Sequence, residues 1–400
     1  MRTRLLLGAL LATGMWTVTA LLPPAAQAIP SFAKKHDKDC FECHIAYPTL
    51  NDAGRAYKQD GYRIGTVTEK RPREIDEDLI LNNEFPFSTR IIGRPYDKRA
   101  GDPNWKLDAL HEGELLIGGN PHPQISAWLD VEAADDTDWT PELAEGMVGF
   151  HPSPLLNIQA GYADIFFSDP YDTLTNGGRR MTVSRKMPLE FTVGSNTKRL
   201  RDPVQQVNIN GRLALVYYLA AVATNNGGAE GDEKDKDVMG RVMVNVMRDT
   251  NVGGFYYGGK DLIAPSTTPT TAPFEDRFRR YGVDLRHDCR LTGASILALN
   301  LWSWDNQPNV TPGEVTLMAG YVEVLRPIMV ADHTLVPLAR YNWAGSHDDQ
   351  ALAESLRTYT LQVGYYLYDN VKTFAEYTAA QSGRSNDNDN RVTLQFDVVF

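Results

Sequence analysis

The sequence predicts an all-β fold, an outer-membrane-type antiparallel β-barrel of about sixteen strands behind a small helical segment. Three observations carry that expectation. From about Phe85 onward, segments of about ten residues alternate apolar and polar side chains. The connections between them alternate too, short then long. Outside the first 28 residues, no run approaches the roughly 18 apolar residues of a spanning helix, so a membrane would have to be crossed by strands. The 400 residues hold 40 Lys+Arg against 51 Asp+Glu, and the net charge of −11 argues against a nucleic-acid-binding surface.

Residues 1–28 read as an export signal. Arg2 and Arg4 give a basic start, Leu5 to Leu22 is largely apolar, and Ala26-Gln27-Ala28 offers a cleavage site. Residues 29–84 then form a separate short unit. It opens with Cys40-Phe41-Glu42-Cys43-His44, two thiols three apart followed by an imidazole. That spacing suits one covalently attached haem c, with thioethers at Cys40 and Cys43 and His44 as an axial ligand to iron. A redox dithiol would expect a thioredoxin-like βαβ context, and a zinc half-site would need a second ligand pair that the one remaining cysteine, Cys289, cannot complete.

The residues after the motif predict a helix against the haem. Pro48 suits its first turn, Leu50, Ala53, Gly54 and Tyr57 recur at helical spacing, and Asp60-Gly61 stops it. Arg55 and Lys58 are candidates to meet haem propionates, or else a solvated helix face. For the second axial position no methionine lies between Ile29 and Glu145. His36 is the near candidate, Met147, Met181 and Met187 could approach only from the later part of the chain, and an open position is the remaining alternative.

Residues 85–400 make the barrel. The last segment places Val392, Leu394, Phe396, Val398 and Phe400 on one face against Thr393, Gln395 and Asp397. Tyr359 to Leu367 repeats the pattern, as does Val238 to Val246 around Arg241, and Leu213, Leu215, Tyr217, Leu219 and Ala221 are grouped as one apolar face against Arg212. Apolar outside and polar inside is the membrane-barrel arrangement, with a secreted β-sandwich as the alternative. Strand parity puts Arg90, Arg212, Arg241, Arg280 and Arg340 inside, with haem propionates and the inward acids Asp284, Glu323, Glu376 and Asp397 as available partners. Trp302, Trp304, Tyr341, Trp343, Tyr365, Tyr366 and Tyr368 read as interfacial aromatics. The ending on Phe400 resembles the assembly signal of bacterial outer-membrane proteins.

Pro30-Ser31-Phe32-Ala33, the motif Cys40 to His44, then Pro48, Leu50, Gly54-Arg55, Lys58 and Gly61-Tyr62, followed by a barrel, resemble the fused monohaem cytochrome–porins of the outer membrane. The family is best known as iron(II) oxidases, and it tends to place aromatics near Ala53 and at Tyr57, of which this chain keeps Tyr57. The resemblance implies an outer-membrane electron conduit. Electrons would pass between an extracellular donor or acceptor, iron(II) above all, and a periplasmic c-type cytochrome, with the cytochrome segment entering the barrel from the periplasmic side and lipid around it. The competing classes are a passive porin with an accessory haem and a haem enzyme of peroxidase type. Long loops with Asp135, Asp136 and Asp138, with Glu230 to Asp237, and with Asp348, Asp349, Asp387 and Asp389 offer hard carboxylate ligands to a divalent donor.

Overall fold

A computed structural model describes residues 31–63 apart from 37, then 73–76, 79–81, 87–175, 181–224 apart from 197, 236–263, 274–309, 312–346, 356–382 and 388–400. The export signal and residues Glu230, Asp232, Glu233, Asp235, Asp348, Asp349 and Asp387 lie outside these. Sixteen strands close into one antiparallel barrel. They are β1 (Phe87–Arg99), β2 (Lys106–His122), β3 (Ile125–Ala134), β4 (Glu142–Ser153), β5 (Leu156–Asp164), β6 (Pro203–Leu213), β7 (Val216–Thr224) and β8 (Asp237–Met247). The second half holds β9 (Thr250–Ile263), β10 (Phe274–Cys289), β11 (Ala294–Asp305), β12 (Val315–Leu325, with a short extension Ile328–Val330), β13 (His333–Ser346), β14 (Leu356–Tyr368), β15 (Val371–Ser382) and β16 (Asn388–Val399). Closure comes from β16 on β1, Arg391 opposite Arg99 and Val399 opposite Arg90.

Turns at Pro154-Leu155, Ala214-Leu215, Arg248-Asp249 and Asp369-Asn370 define a short-turn rim, and the longer connections meet at the other. The outward face is apolar, with Val207, Ile209, Val242, Leu361, Val363 and Leu394 exposed on it. That is the face a membrane barrel turns to lipid, where an exposed apolar side chain costs nothing. Aromatics outside stack, Tyr281 on Trp302 across β10 and β11, and Tyr341 on Trp343 along β13.

Inside, Arg90, Arg241, Arg280 and Arg340 are buried and each meets a carboxylate, as an inward guanidinium must. Arg90 holds both oxygens of Asp397 at 3.0 and 2.8 Å. Arg241 meets Asp284 at 2.8 Å and Asp169 at 3.0 Å, Arg280 meets Asp305 at 3.1 Å, and Arg340 meets Glu323 at 3.1 Å. Three readings need correction. Arg212 shares the inward parity of β6 but sits exposed at the short-turn rim, where its Nε donates to Ala214 O at 3.1 Å. Leu213 and Leu215 are exposed while Tyr217, Leu219 and Ala221 are buried, because the turn at Ala214-Leu215 falls within that alternation and reverses the face. Tyr366 points inward, not to an interface, and its hydroxyl donates to Tyr47 O at 2.9 Å.

The inward apolar residues have a partner the alternation did not reveal. The connection from Ile165 to Asp202 is the longest among the described residues, and its Ile165, Phe166, Leu174, Leu189 and Leu200 are buried in one cluster with Tyr217, Leu219, Phe255, Leu299 and Tyr321 of the wall. It is a folded inner segment, not a surface loop. Asn196 donates to Asp276 at 2.7 Å, Lys198 reaches Asp237 at 2.9 Å, and the amides of Val183 and Ser184 donate to the two oxygens of Glu376 at 2.8 Å each. Asp237 is therefore spent inside the barrel and is not part of an acidic surface loop.

Candidate functional site

The cysteine motif forms one helical turn, α1 being Ser31–His36 and α2 being Cys40–Cys43. His44 begins a two-stranded ribbon, His44–Ala46 against Thr49–Leu50, and α3 (Asp52–Gln59) follows. Pro48 sits in the turn of that ribbon rather than in a helix. The helix starts later because Asn51 caps it, its Oδ1 accepting from Gly54 N at 3.0 Å. The same side chain donates to Glu42 O at 2.9 Å, tying α3 to α2. Gly54 is required by closeness: a Cβ there would stand 2.1 Å from Cys43 O. The predicted stop is found at Asp60-Gly61, with Gly61 at φ 67.

Cys40 and Cys43 are free thiols on one helical turn. Burial, with Asp369 and Asp39 nearby, pushes the Cys40 thiol up to about 12, and burial raises Cys43 as well. His44 Nδ1 lies 3.0 Å from Pro48 O. A carbonyl only accepts, so Nδ1 carries the proton and Nε2 keeps its lone pair, the tautomer that binds iron. Both cysteines and His44 line one cavity of about 220 Å³. Two thiols and an oriented imidazole on one partly apolar cavity are the donor set a covalent haem c would need.

The remaining candidates divide. His36 lines the same cavity, its Nε2 3.2 Å from Tyr57 Oη, and so does Met181 of the inner segment, whereas Met147 and Met187 do not. Lys58 lines it too, with Nζ donating to Asp169 O at 2.9 Å. Arg55 is away from the lining: it is buried on Asp52 and on Asp288 at 3.1 Å. Lys186, also on the lining, was not anticipated, since nothing in its sequence neighbourhood announces an inward-folded segment.

The motif-bearing segment is held by the inner segment and the barrel wall together. Leu50 N donates to Asp172 Oδ2 at 2.9 Å, and Arg286 binds the same carboxylate at 2.9 Å while also meeting Leu50 O. Lys372 Nζ reaches Tyr47 O at 3.3 Å, Asn157 donates to Gln59 O at 3.1 Å, and Asn120 to Gly61 O at 2.8 Å. Phe32 stacks on Trp128 of β3 with ring centroids 6.1 Å apart. Wall and segment build the cavity together, with Leu116, Trp128 and Glu145 lining it from β2 to β4.

No family model and no curated protein matches the sequence. Solved structures do match in fold. OmpT of Vibrio cholerae, an outer membrane protein in its trimer form, has a TM-score of 0.56 at 12% identity over 78% of this chain and 98% of that one. OmpF of Salmonella typhi in complex with daunomycin gives 0.56 at 10%, covering 78% and 97%. An anion-selective porin from Comamonas acidovorans gives 0.54 at 9%, covering 78% and 98%. The barrel is porin-like, and at these identities the likeness is one of fold.

Proposed function

We propose that this chain is an outer-membrane electron conduit, holding one haem c at Cys40, Cys43 and His44 and linking an extracellular donor, iron(II) by the family resemblance, to a periplasmic c-type cytochrome. The single observation that carries the reading is the shared cavity: the attachment motif, an iron-ready His44 tautomer and the inner barrel wall meet in one place. Bound there, the haem supplies a one-electron couple. The chain's own residues hold and tune it. Pro48 O fixes the His44 ring, His36 and Met181 stand on the lining as candidate second ligands, and Phe32, Leu116 and Trp128 keep water down on the side of β2 and β3.

Bacterial barrels place short turns in the periplasm, so Cys40, near Asp369 of the β14–β15 turn, would lie toward the periplasmic partner. The apolar belt of about 25 Å is the insulation such a conduit must bridge. A passive porin is the weaker reading, because both the 31–63 segment and the inner 165–202 segment occupy lumenal space. The test is haem staining, an optical titration with iron(II) and a single-channel trace on one purified preparation. Covalent haem reduced by iron(II) with low conductance is expected. A colourless protein with large, steady pores would overturn the reading.

A further inference from the structure

We propose that Glu112, Glu114 and Glu132 form a binding site for one divalent cation inside the barrel. Each brings one carboxylate oxygen to a group whose three atoms all lie within 4.8 Å of one another. Oxygens around a single hard divalent ion stand about 2.1–2.6 Å from it, so they must fall within about 5 Å of each other. The spacing therefore matches a shared ion.

The second observation is the state of Glu114. Its side chain has 0% exposure; Oε1 accepts from Arg90 at 2.9 Å, while Oε2 is buried with no donor on it and the Glu112 carboxylate lies against the same side chain. Arg90 is itself divided, since it also grips both oxygens of Asp397. A buried carboxylate oxygen is stable when paired or when it coordinates a metal. Strand register sharpens the point, because Glu114 stands directly opposite Glu132 and Asp130 directly opposite Glu145. Like charges facing each other across a ladder repel, and a divalent ion between them reverses the sign of that interaction. Asp284 and Glu376 in the lumen have both oxygens engaged, whereas Asp169, beside Arg241, keeps one oxygen without a donor.

The site has a direction. Asp108, His111 and Asp135 gather beyond it toward the long-loop rim, with Lys106 bridging Asp108 and Asp135 at 3.1 and 2.9 Å. Glu145 continues the acidic wall to the cavity that contains Cys40, Cys43 and His44. The inference deepens the proposed function by giving a divalent donor a place within the barrel, and rests on that reading only for the ion's natural identity.

The probe is manganese(II), titrated into purified full-length protein in detergent and followed by loss of the free-ion paramagnetic resonance signal. Wild type should bind one ion saturably. E132Q, which leaves the Arg90–Glu114 pair intact, should weaken binding by about tenfold or more, as loss of one charged ligand does. D135N/D136N/D138N at the rim should leave the affinity within about threefold. Absence of saturable binding by wild type, equal affinity in E132Q, or loss of binding in the rim variant alone would each overturn the site. Haem staining of the same samples separates the two readings: a colourless protein that still binds manganese keeps this site and removes the conduit.

Discussion

Arg241 shows what a single buried residue is asked to do. Its guanidinium has 0% exposure and balances Asp169 and Asp284, themselves fully covered. Replacing it by alanine strands two carboxylates in a low-dielectric interior, and breaking such a pair costs about 3–5 kcal/mol. Arg241→Ala should therefore lower the temperature at which the barrel unfolds in a heat-modifiability gel, whereas Lys106→Ala, 63% exposed, should shift it little. Asn51 gives a smaller effect of the same kind. Asn51→Ala removes the helix cap and the link to Glu42 O, for about 1 kcal/mol, and should increase protease cutting within residues 40–60 while the barrel band stays intact. Arg241 could be read from parity and its charge alone. Asp169 could not, because a period of two says nothing about a carboxylate arriving from a distant segment.

At the scale of elements, the inner 165–202 segment decides which faces are wet. Alternation in β7 and β14 looks alike in sequence, yet Thr360 and Gln362 of β14 turn polar groups inward while Tyr217 and Leu219 of β7 turn apolar ones inward. Period-two patterning reports two faces; what each face touches is set by the tertiary neighbour. The strands, the alternating turns and the helix stop at Asp60-Gly61 were legible for that reason. The inward-folded connection was not, since its apolar residues, Phe166, Leu174, Leu189 and Phe191 among them, follow neither a strand nor a helix period. Asp172 joins this segment to the rest, receiving Leu50 N and Arg286 at once from a left-handed conformation, φ 61. Asp172→Ala should loosen the motif-bearing segment, and limited proteolysis should then cut residues 44–63 faster. Asp172→Asn, which tolerates the same backbone and keeps an acceptor, should be intermediate.

For the whole molecule, the two halves draw on different solvents. The barrel is closed by its own backbone ladder, Val399 to Arg90, with no contribution from the cysteine motif. Cys40→Ala with Cys43→Ala should therefore leave a folded, heat-modifiable barrel and abolish covalent haem, as judged by haem staining of a denaturing gel. Full staining in the double variant would refute the attachment site. The motif was legible from five consecutive residues, because thioether attachment would leave little freedom in spacing, and the proposed haem site rests on that spacing. Its walls were not, being contributed by Leu116, Trp128, Glu145 and Met181 from strands and a segment far away in sequence.

The seam between β1 and β16 also sets a calendar. Residue 99 pairs with residue 391, so the ring is a stave construction whose final joint waits for the last strand to be delivered. Until then the wall is an open sheet with two unpaired edges, and the 31–63 and 165–202 segments have no enclosed lumen to fold into. Shutting the joint turns an edged sheet into a ring. If the proposed haem is carried at Cys40 and Cys43, closure would wall it in, and attachment would have to come before the last strand docks.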